Sequence, residues 1–520
     1  MKFVLKRNKE ICSAVEKMSV RELLETVICP QCSVSEKDLN IKSPFIFIHG
    51  AEKGKMEILM EHINDYQKKN TYQKKPIYVG DVECGAGCTV FTDEYPQFPS
   101  FAAIAREGGD ASYCVARTSA EKLYDMGYRY FLAPCCDIIK EPDSPMGSTR
   151  SAGDTPKKVI SVTKGYVKGI IDGGAACAVK HFPGDGFSDL DQHLTTSLNP
   201  MSEKKWFSTY GKIYSELIEA GAQTVMVGHI SLPSFDEPDE NGMYPPATLS
   251  KNLITGLLKE KLGFKGLVIS DAVNMGGFAG YMNYYSGLAR YLVAGGDIIL
   301  FGRNDEISYA ELEKRVESGE LPINILKDRA INVLSFHHYL MTKKPVEDGY
   351  KEDDKALCDK VIKDSVEIFR DRNNILPMRL NRNSKILYTE IIADNVMIKS
   401  SADKFRTELK KRFDNVNYVD KPGFDGMFHM VRDGNYDVVI CFCGNKCSFA
   451  TGTVRMVGNS ARALMGGWTK LGTPCIFIDA WHPYIHLEFE TVMDTIVYSY
   501  GFADGTEKAI LDKIFPNSKR

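Results

Sequence analysis

Seven short apolar runs recur between Pro44 and Phe301, and they constrain the fold more than any other feature. They are Pro44–His49 (PFIFIH), Pro76–Asp81 (PIYVGD), Tyr128–Ala133 (YRYFLA), Ala176–His181 (ACAVKH), Thr224–His229 (TVMVGH), Leu267–Asp271 (LVISD) and Asp297–Phe301 (DIILF). Each is rich in β-branched or aromatic residues and continuous rather than alternating, the pattern of a strand buried on both faces. Stretches of helical period separate them. Behind Ser202, a residue type that caps helices, Trp206, Phe207, Tyr210, Ile213, Tyr214 and Leu217 keep helical spacing. Strands and helices alternating over this length predict an α/β fold, a TIM-type (β/α)8 barrel rather than an open sheet.

A charged stretch, Lys343 to Lys355 (KKPVEDGYKEDDK), is poor in apolar residues and contains Pro345 and Gly349. It reads as a linker over 343–355, with the barrel over 1–342. Beyond it a helix is expected around Lys355–Phe369, and strands near Lys385–Thr389, Asp437–Phe442, Cys475–Ile478 and Thr495–Tyr498. Residues 356–520 therefore read as a smaller three-layer α/β sandwich domain.

Lys+Arg is 65 and Asp+Glu is 68, a net charge of -3 over 520 residues, with no Lys/Arg-rich run. That balance argues against a nucleic-acid partner. The N-terminus lacks the apolar core of a signal peptide, and no stretch is long and apolar enough for a membrane span. A cytoplasmic location is expected, with the 14 Cys as thiols. Cys29 and Cys32 form a C-x-x-C pair, and Cys441, Cys443 and Cys447 cluster. A structural zinc site normally needs four ligands from two such pairs. The cysteines read as small buried hydrophobes, and no metal or cofactor is expected.

The ends of the candidate strands carry the chemistry. The second ends in Asp81, followed by Glu83; the fourth in Lys180 and His181; the fifth in His229; the sixth in Ser270 and Asp271. In a barrel those ends and the loops after them form the active-site face. The segment Lys180–His193 (KHFPGDGFSDLDQH) is the richest. In its Asp191-x-His193 unit, a carboxylate accepting one ring N–H fixes the tautomer and raises the basicity of the imidazole. His193 is thus a candidate general acid/base. Asp271, at the end of a very apolar run, is a candidate nucleophile, general base or metal ligand.

These residues carry a family resemblance. The run KHFPGDG with Asp191-x-His193, the segment VMVGHISLPSFDEP, and GFKGLVISDAVNMGG resemble glycoside hydrolase family 3, in particular its β-N-acetylglucosaminidase branch. MSVRELLETVIC resembles that family's first helix, YVGDVECGAG its second-strand motif and MGSTRSAGDTP its arginine loop. DVVICFCGN and GTPCIFIDAWHPY resemble the α/β domain that often follows the barrel. The resemblance implies a retaining exo-β-N-acetylhexosaminidase with Asp271 as nucleophile, His193 as acid/base and Asp191 as its partner. It puts Asp81, Arg150, Lys180 and His181 on a terminal β-linked sugar. Three alternatives stay open: a β-glucosidase, a phosphorylase using phosphate as acceptor, and a sugar-binding homologue without activity. Departures from the related pattern are Asp185 for the second loop histidine, Ala86 for an arginine, and Ala272 for an aspartate. Asp185 is expected to add negative charge near the sugar.

Overall fold

The computed structural model describes residues 2–32, 41–48, 61, 75–89, 95–393, 395–420, 423–444, 455 and 459–518. His49 and Cys447, named above, lie outside them. The chain forms two compact units, Met1–Gln97 with Gly108–Asp354, and Phe98–Glu107 with Lys355–Arg520.

The first unit is built on the strands β1 (Ile28–Cys29), β2 (Gln31–Cys32), β3 (Phe45–Ile48), β4 (Ile77–Gly80), β5 (Tyr128–Phe131), β6 (Ala176–Phe182), β7 (Ser197–Leu198), β8 (Thr224–Val227), β9 (Ile230–Ser231), β10 (Leu267–Ser270) and β11 (Ile299–Leu300). A parallel sheet runs β2-β3-β4-β5-β6-β8-β10. It is closed by the parallel pair β1-β11 and by a bridge from Ile269 to Ile298. β1 and β2 are one stave interrupted at Pro30, which has no N–H to give a ladder. The result is a closed barrel of eight parallel staves, and its strands are almost wholly buried, as continuous apolar runs require.

All seven expected strands form, and an eighth precedes them. The C-x-x-C pair lies in that first stave, so the strand ends expected as second, fourth, fifth and sixth are the third, fifth, sixth and seventh. Cys29 and Cys32 are buried core side chains, and burial pushes the Cys29 thiol up. The helix Val20–Val27 leads into this stave and begins with a reciprocal Ser19–Glu22 capping box. Ser202 does sit at the N-cap of Glu203–Trp206, but its hydroxyl makes no capping bond; Phe207 is partly exposed while Trp206, Tyr210, Ile213, Tyr214 and Leu217 are buried.

Much of the expected linker is strapped to the barrel unit. Arg117, 2% exposed, donates to both Asp348 oxygens at 2.9 and 2.5 Å and lies 4.1 Å under the Tyr350 ring. Val346 N–H donates to Asp172 O.

The second unit is a six-stranded sheet. Its strands are β12 (Glu367–Asp371), β13 (Lys385–Ile392), β14 (Asn415–Val419), β15 (Val438–Gly444), β16 (Cys475–Asp479) and β17 (Thr495–Tyr498), ordered β12-β17-β16-β15-β13-β14. Only β12 is antiparallel to its neighbour. Alternate residues serve opposite faces. Ile386, Tyr388, Val438, Ile440 and Phe442 pack with the helices Val396–Arg412 and Thr506–Ile514. Leu387, Ile391, Val439, Cys441 and Cys443 pack with Phe424–Asp433. The three layers match the expected sandwich. β12 and β14, which lie at its edges, went unmarked in the sequence, and the helix expected to reach Phe369 ends at Ser365.

One segment departs from the linear division. The helix Phe101–Arg106 belongs to the second unit. Arg106 lies 4.5 Å over Tyr500 and pairs with Glu367 at 3.0 Å, and Ser100 Oγ donates to Tyr500 O.

Candidate active site

The parallel staves bring their carboxyl ends to one end of the barrel. In a regular strand, Lys180 and His181 would point to opposite faces. Here the pairing of β6 with β8 slips between Val179 and Phe182, so two residues oppose one and both side chains reach the site. Lys180, 2% exposed, has its Nζ 2.8 Å from Asp81 Oδ1 and 2.6 Å from Glu83 Oε1. Arg150 grips Glu83 with two bonds of 2.9 and 2.7 Å. Burial works against charge on Glu83, but Arg150 and Lys180 outweigh it and hold the carboxyl well below the usual range. Burial likewise opposes the Lys180 ammonium, which Asp81 and Glu83 keep above the ordinary lysine value. The four groups form a neutral, preorganised set of donors and acceptors.

His181 spans two carboxylates. Its Nδ1 lies 2.7 Å from Asp137 Oδ2, and its Nε2 lies 3.9 Å from Asp271 Oδ2. Asp137 also accepts the Asp185 N–H at 2.8 Å and the His181 N–H. Asp271 follows β10; its own N–H donates to Val227 O, and its Oδ1 accepts the Ala272 N–H at 2.8 Å. Burial raises this carboxyl's cost of charge, yet the neighbouring His181 and His229 rings, the Ala272 bond and the Lys180 ammonium keep it below the usual carboxylate range. Asp271 is therefore the anion at neutral pH.

Asp191 and His193 meet across their two-residue spacing. His193 Nδ1 lies 2.7 Å from Asp191 Oδ1, which also accepts the His193 N–H at 2.9 Å. A carboxylate only accepts, so Nδ1 carries the proton and exchange with a substrate falls to Nε2. The segment after Asp271 docks on this loop: Gly276 N–H donates to His193 O at 2.7 Å, and Gly277 N–H to Gln192 O at 3.1 Å. The approach demands glycine, because a Cβ at 276 would stand 2.3 Å from Leu194 O. His229 is a support. Its Nε2 donates to Ala272 O at 3.0 Å, its Nδ1 accepts from Thr248 Oγ1, and burial lowers its pKa.

Asp185 turns toward the interior of the loop. It is 2% exposed and faces donors inside the protein: Gly186 N–H, Gln192 Nε2 and Ser197 Oγ. Burial, and next the negative charge of Asp137, push its carboxyl up to about 7.

Sequence reasoning placed neither Asp137 nor Glu83 among the site residues. Glu83 carried a signal, two residues past Asp81. Asp137 lies six residues past β5 in a coil and carried none. Among the described residues, Cys135, Asp137 and His181 are the one group whose donor atoms lie close enough, within 4.8 Å of one another, to share a cation. Asp137 is already occupied by His181 and Asp185, and the positive fields of Arg150 and Lys180 reach Cys135.

A closed (β/α)8 barrel with its ionisable groups gathered at the carboxyl ends of the staves is an enzyme scaffold. The family model for the glycosyl hydrolase family 3 N terminal domain matches residues 45–336, more than half of the chain, and the chain belongs to that family. A β-N-acetylglucosaminidase/β-glucosidase of Cellulomonas fimi is 29% identical over 324 residues, 60% of this chain and 57% of that protein. A β-hexosaminidase A of Pseudoalteromonas piscicida is 24% identical over 286 residues, 53% of this chain and 48% of that protein. The chain thus spans about half the length of these curated relatives. Among solved structures, the β-glucoside phosphorylase BglX has a TM-score of 0.84 at 22% identity, covering 100% of this chain and 96% of that one. A family 3 β-N-acetylglucosaminidase from Paenibacillus sp. str. FPU-7 has a TM-score of 0.77 at 20% identity, covering 96% and 97%. These structures share the fold.

Proposed function

We propose that the protein is a retaining β-glycosidase acting on a terminal β-linked N-acetylhexosamine. The observation that carries it is the pairing of an ionised carboxylate, Asp271, with an imidazole oriented by Asp191 on a loop tied to the same segment. A retaining enzyme needs a nucleophile on one face of the anomeric carbon and a proton donor on the other. Asp271 attacks the anomeric carbon as the bond to the leaving oxygen breaks. His193, entering as the imidazolium, passes its Nε2 proton to that oxygen. The neutral imidazole then takes a proton from the incoming acceptor, which releases the sugar from Asp271. Asp81, Arg150, Lys180 and His181 are the groups assigned to the sugar hydroxyls. The names of the curated relatives support the N-acetylhexosamine.

One feature supports phosphate as a second acceptor. The base is a neutral imidazole, which repels an anion less than a carboxylate does. Nitrophenyl β-glycosides turned over with and without phosphate test both readings. Release of N-acetylglucosamine supports the glycosidase, and failure on every β-glycoside offered removes it. Sugar 1-phosphate appearing in proportion to phosphate supports phosphorolysis; free sugar at every phosphate concentration removes it.

A further inference from the structure

Gln192 is the middle residue of the Asp191-x-His193 unit, and it is fully buried. Its side chain is pinned at both ends. Nε2 donates to Asp185 Oδ2 at 3.3 Å, and Oε1 accepts the His229 N–H at 2.9 Å. Its carbonyl accepts the Gly277 N–H. The three anchors come from three segments: the loop after β6, the end of β8 and the turn after β10. No single bond here is strong. Together they leave the backbone between Asp191 and His193 one orientation, and the two flanking side chains inherit it.

Asp185 is suited to its end of this arrangement. Its Oδ1 accepts the Gly186 N–H at 2.7 Å while its Oδ2 accepts from Gln192. The position therefore needs two acceptor atoms at once. A neutral histidine, the residue of the related loop, offers one lone pair and cannot meet both donors. Through its own N–H, Asp185 also contacts Asp137, the support of His181.

We propose that Asp185 and Gln192 form a positioning clamp for His193, acting on proton transfer to the leaving group. The proposal rests on the glycosidase reading above. An imidazole displaced by about 1 Å loses on the order of a hundredfold in proton delivery. The loss falls on substrates whose leaving group needs a proton.

The test is a reciprocal exchange. In Asp185→Asn, one acceptor becomes a donor that faces the Gln192 amide. In Gln192→Glu, a second carboxylate faces Asp185. In the double variant the donor and acceptor change places. The new amide at position 185 accepts from the Gly186 N–H and donates to the new carboxylate at position 192, whose other oxygen accepts the His229 N–H. Every bond is restored and the charge is conserved. Rates are read on a dinitrophenyl N-acetylglucosaminide, whose leaving group departs unprotonated, and on a methyl glycoside, which requires the proton. Each single variant should lower the methyl-to-dinitrophenyl rate ratio by about tenfold or more. The double variant should recover most of it. Equal losses on both substrates, an unchanged ratio, or additive losses in the double variant overturn the clamp. Melting midpoints run on the same four proteins should show the same recovery. If the wild type turns over neither substrate, the glycosidase reading falls, and additive melting shifts then overturn the clamp by themselves.

Discussion

Asp137→Asn removes the support of His181 while keeping its shape. Asp137 accepts from three donors: the Asp185 N–H, the His181 N–H and His181 Nδ1. An amide has one acceptor atom. If its oxygen keeps the backbone donors, its NH2 faces His181 Nδ1, which must give up its proton and accept. The ring proton then moves to Nε2, on the side of Asp271. What is lost is one hydrogen bond to a buried carboxylate, worth about 1.5–3 kcal/mol. At about 1.4 kcal/mol per tenfold, kcat/KM should fall about 10- to 150-fold. Steady-state rates on a nitrophenyl β-N-acetylglucosaminide at neutral pH measure it, with a thermal melt alongside to show that the barrel still folds. Asp137 also holds the Asp185 carboxyl up, after burial itself. The variant should therefore shift Asp185 below about 7. A kcat/KM within twofold of the wild type would show that His181 does not depend on Asp137, and the supporting role would fail.

Three further outcomes follow from the structure. Gly276→Ala places a methyl 2.3 Å from Leu194 O and should cost about 1–3 kcal/mol while displacing His193; an unchanged melting midpoint and an unchanged rate contradict it. Asp479 is 1% exposed, its Oδ2 has no partner among the described residues, and burial raises its carboxyl from 3.8 to about 7. The fold thus binds a proton that the unfolded chain releases, so stability should fall as pH rises from about 4 to 7, by on the order of 4 kcal/mol. Asp479→Asn should flatten that slope in urea melts of the whole chain; an identical slope in wild type and variant refutes it. Glu83→Gln leaves Lys180 and Arg150 facing a neutral group, and it should weaken sugar binding by about tenfold or more; competitive inhibition by N-acetylglucosamine reads this, and an unchanged inhibition constant counts against the network.

The sequence showed the barrel because its strands are buried on both faces, and such runs stand out. The first stave escaped because Pro30 splits it into two pairs of residues, too short to register. The contact of Asp191 with His193 was legible because the partners lie two residues apart. Asp137 was not, because its partner His181 is 44 residues away and only the closed barrel joins them. Asp185 was legible as a departure but not in its direction: local sequence shows that a carboxylate is present, and only packing shows that it turns inward. The placement of Phe101–Arg106 with the second unit has no local signal at all.

In the proposed reaction Asp271 forms a covalent bond to the sugar. A fluorinated N-acetylglucosaminyl fluoride, which forms that bond quickly and hydrolyses it slowly, tests it most directly. Incubation followed by intact-mass and peptide mass spectrometry should show one added sugar residue, located on Asp271, and none on Asp271→Ala. A label on another residue, or no label on a protein that turns over β-N-acetylglucosaminides, would contradict the account.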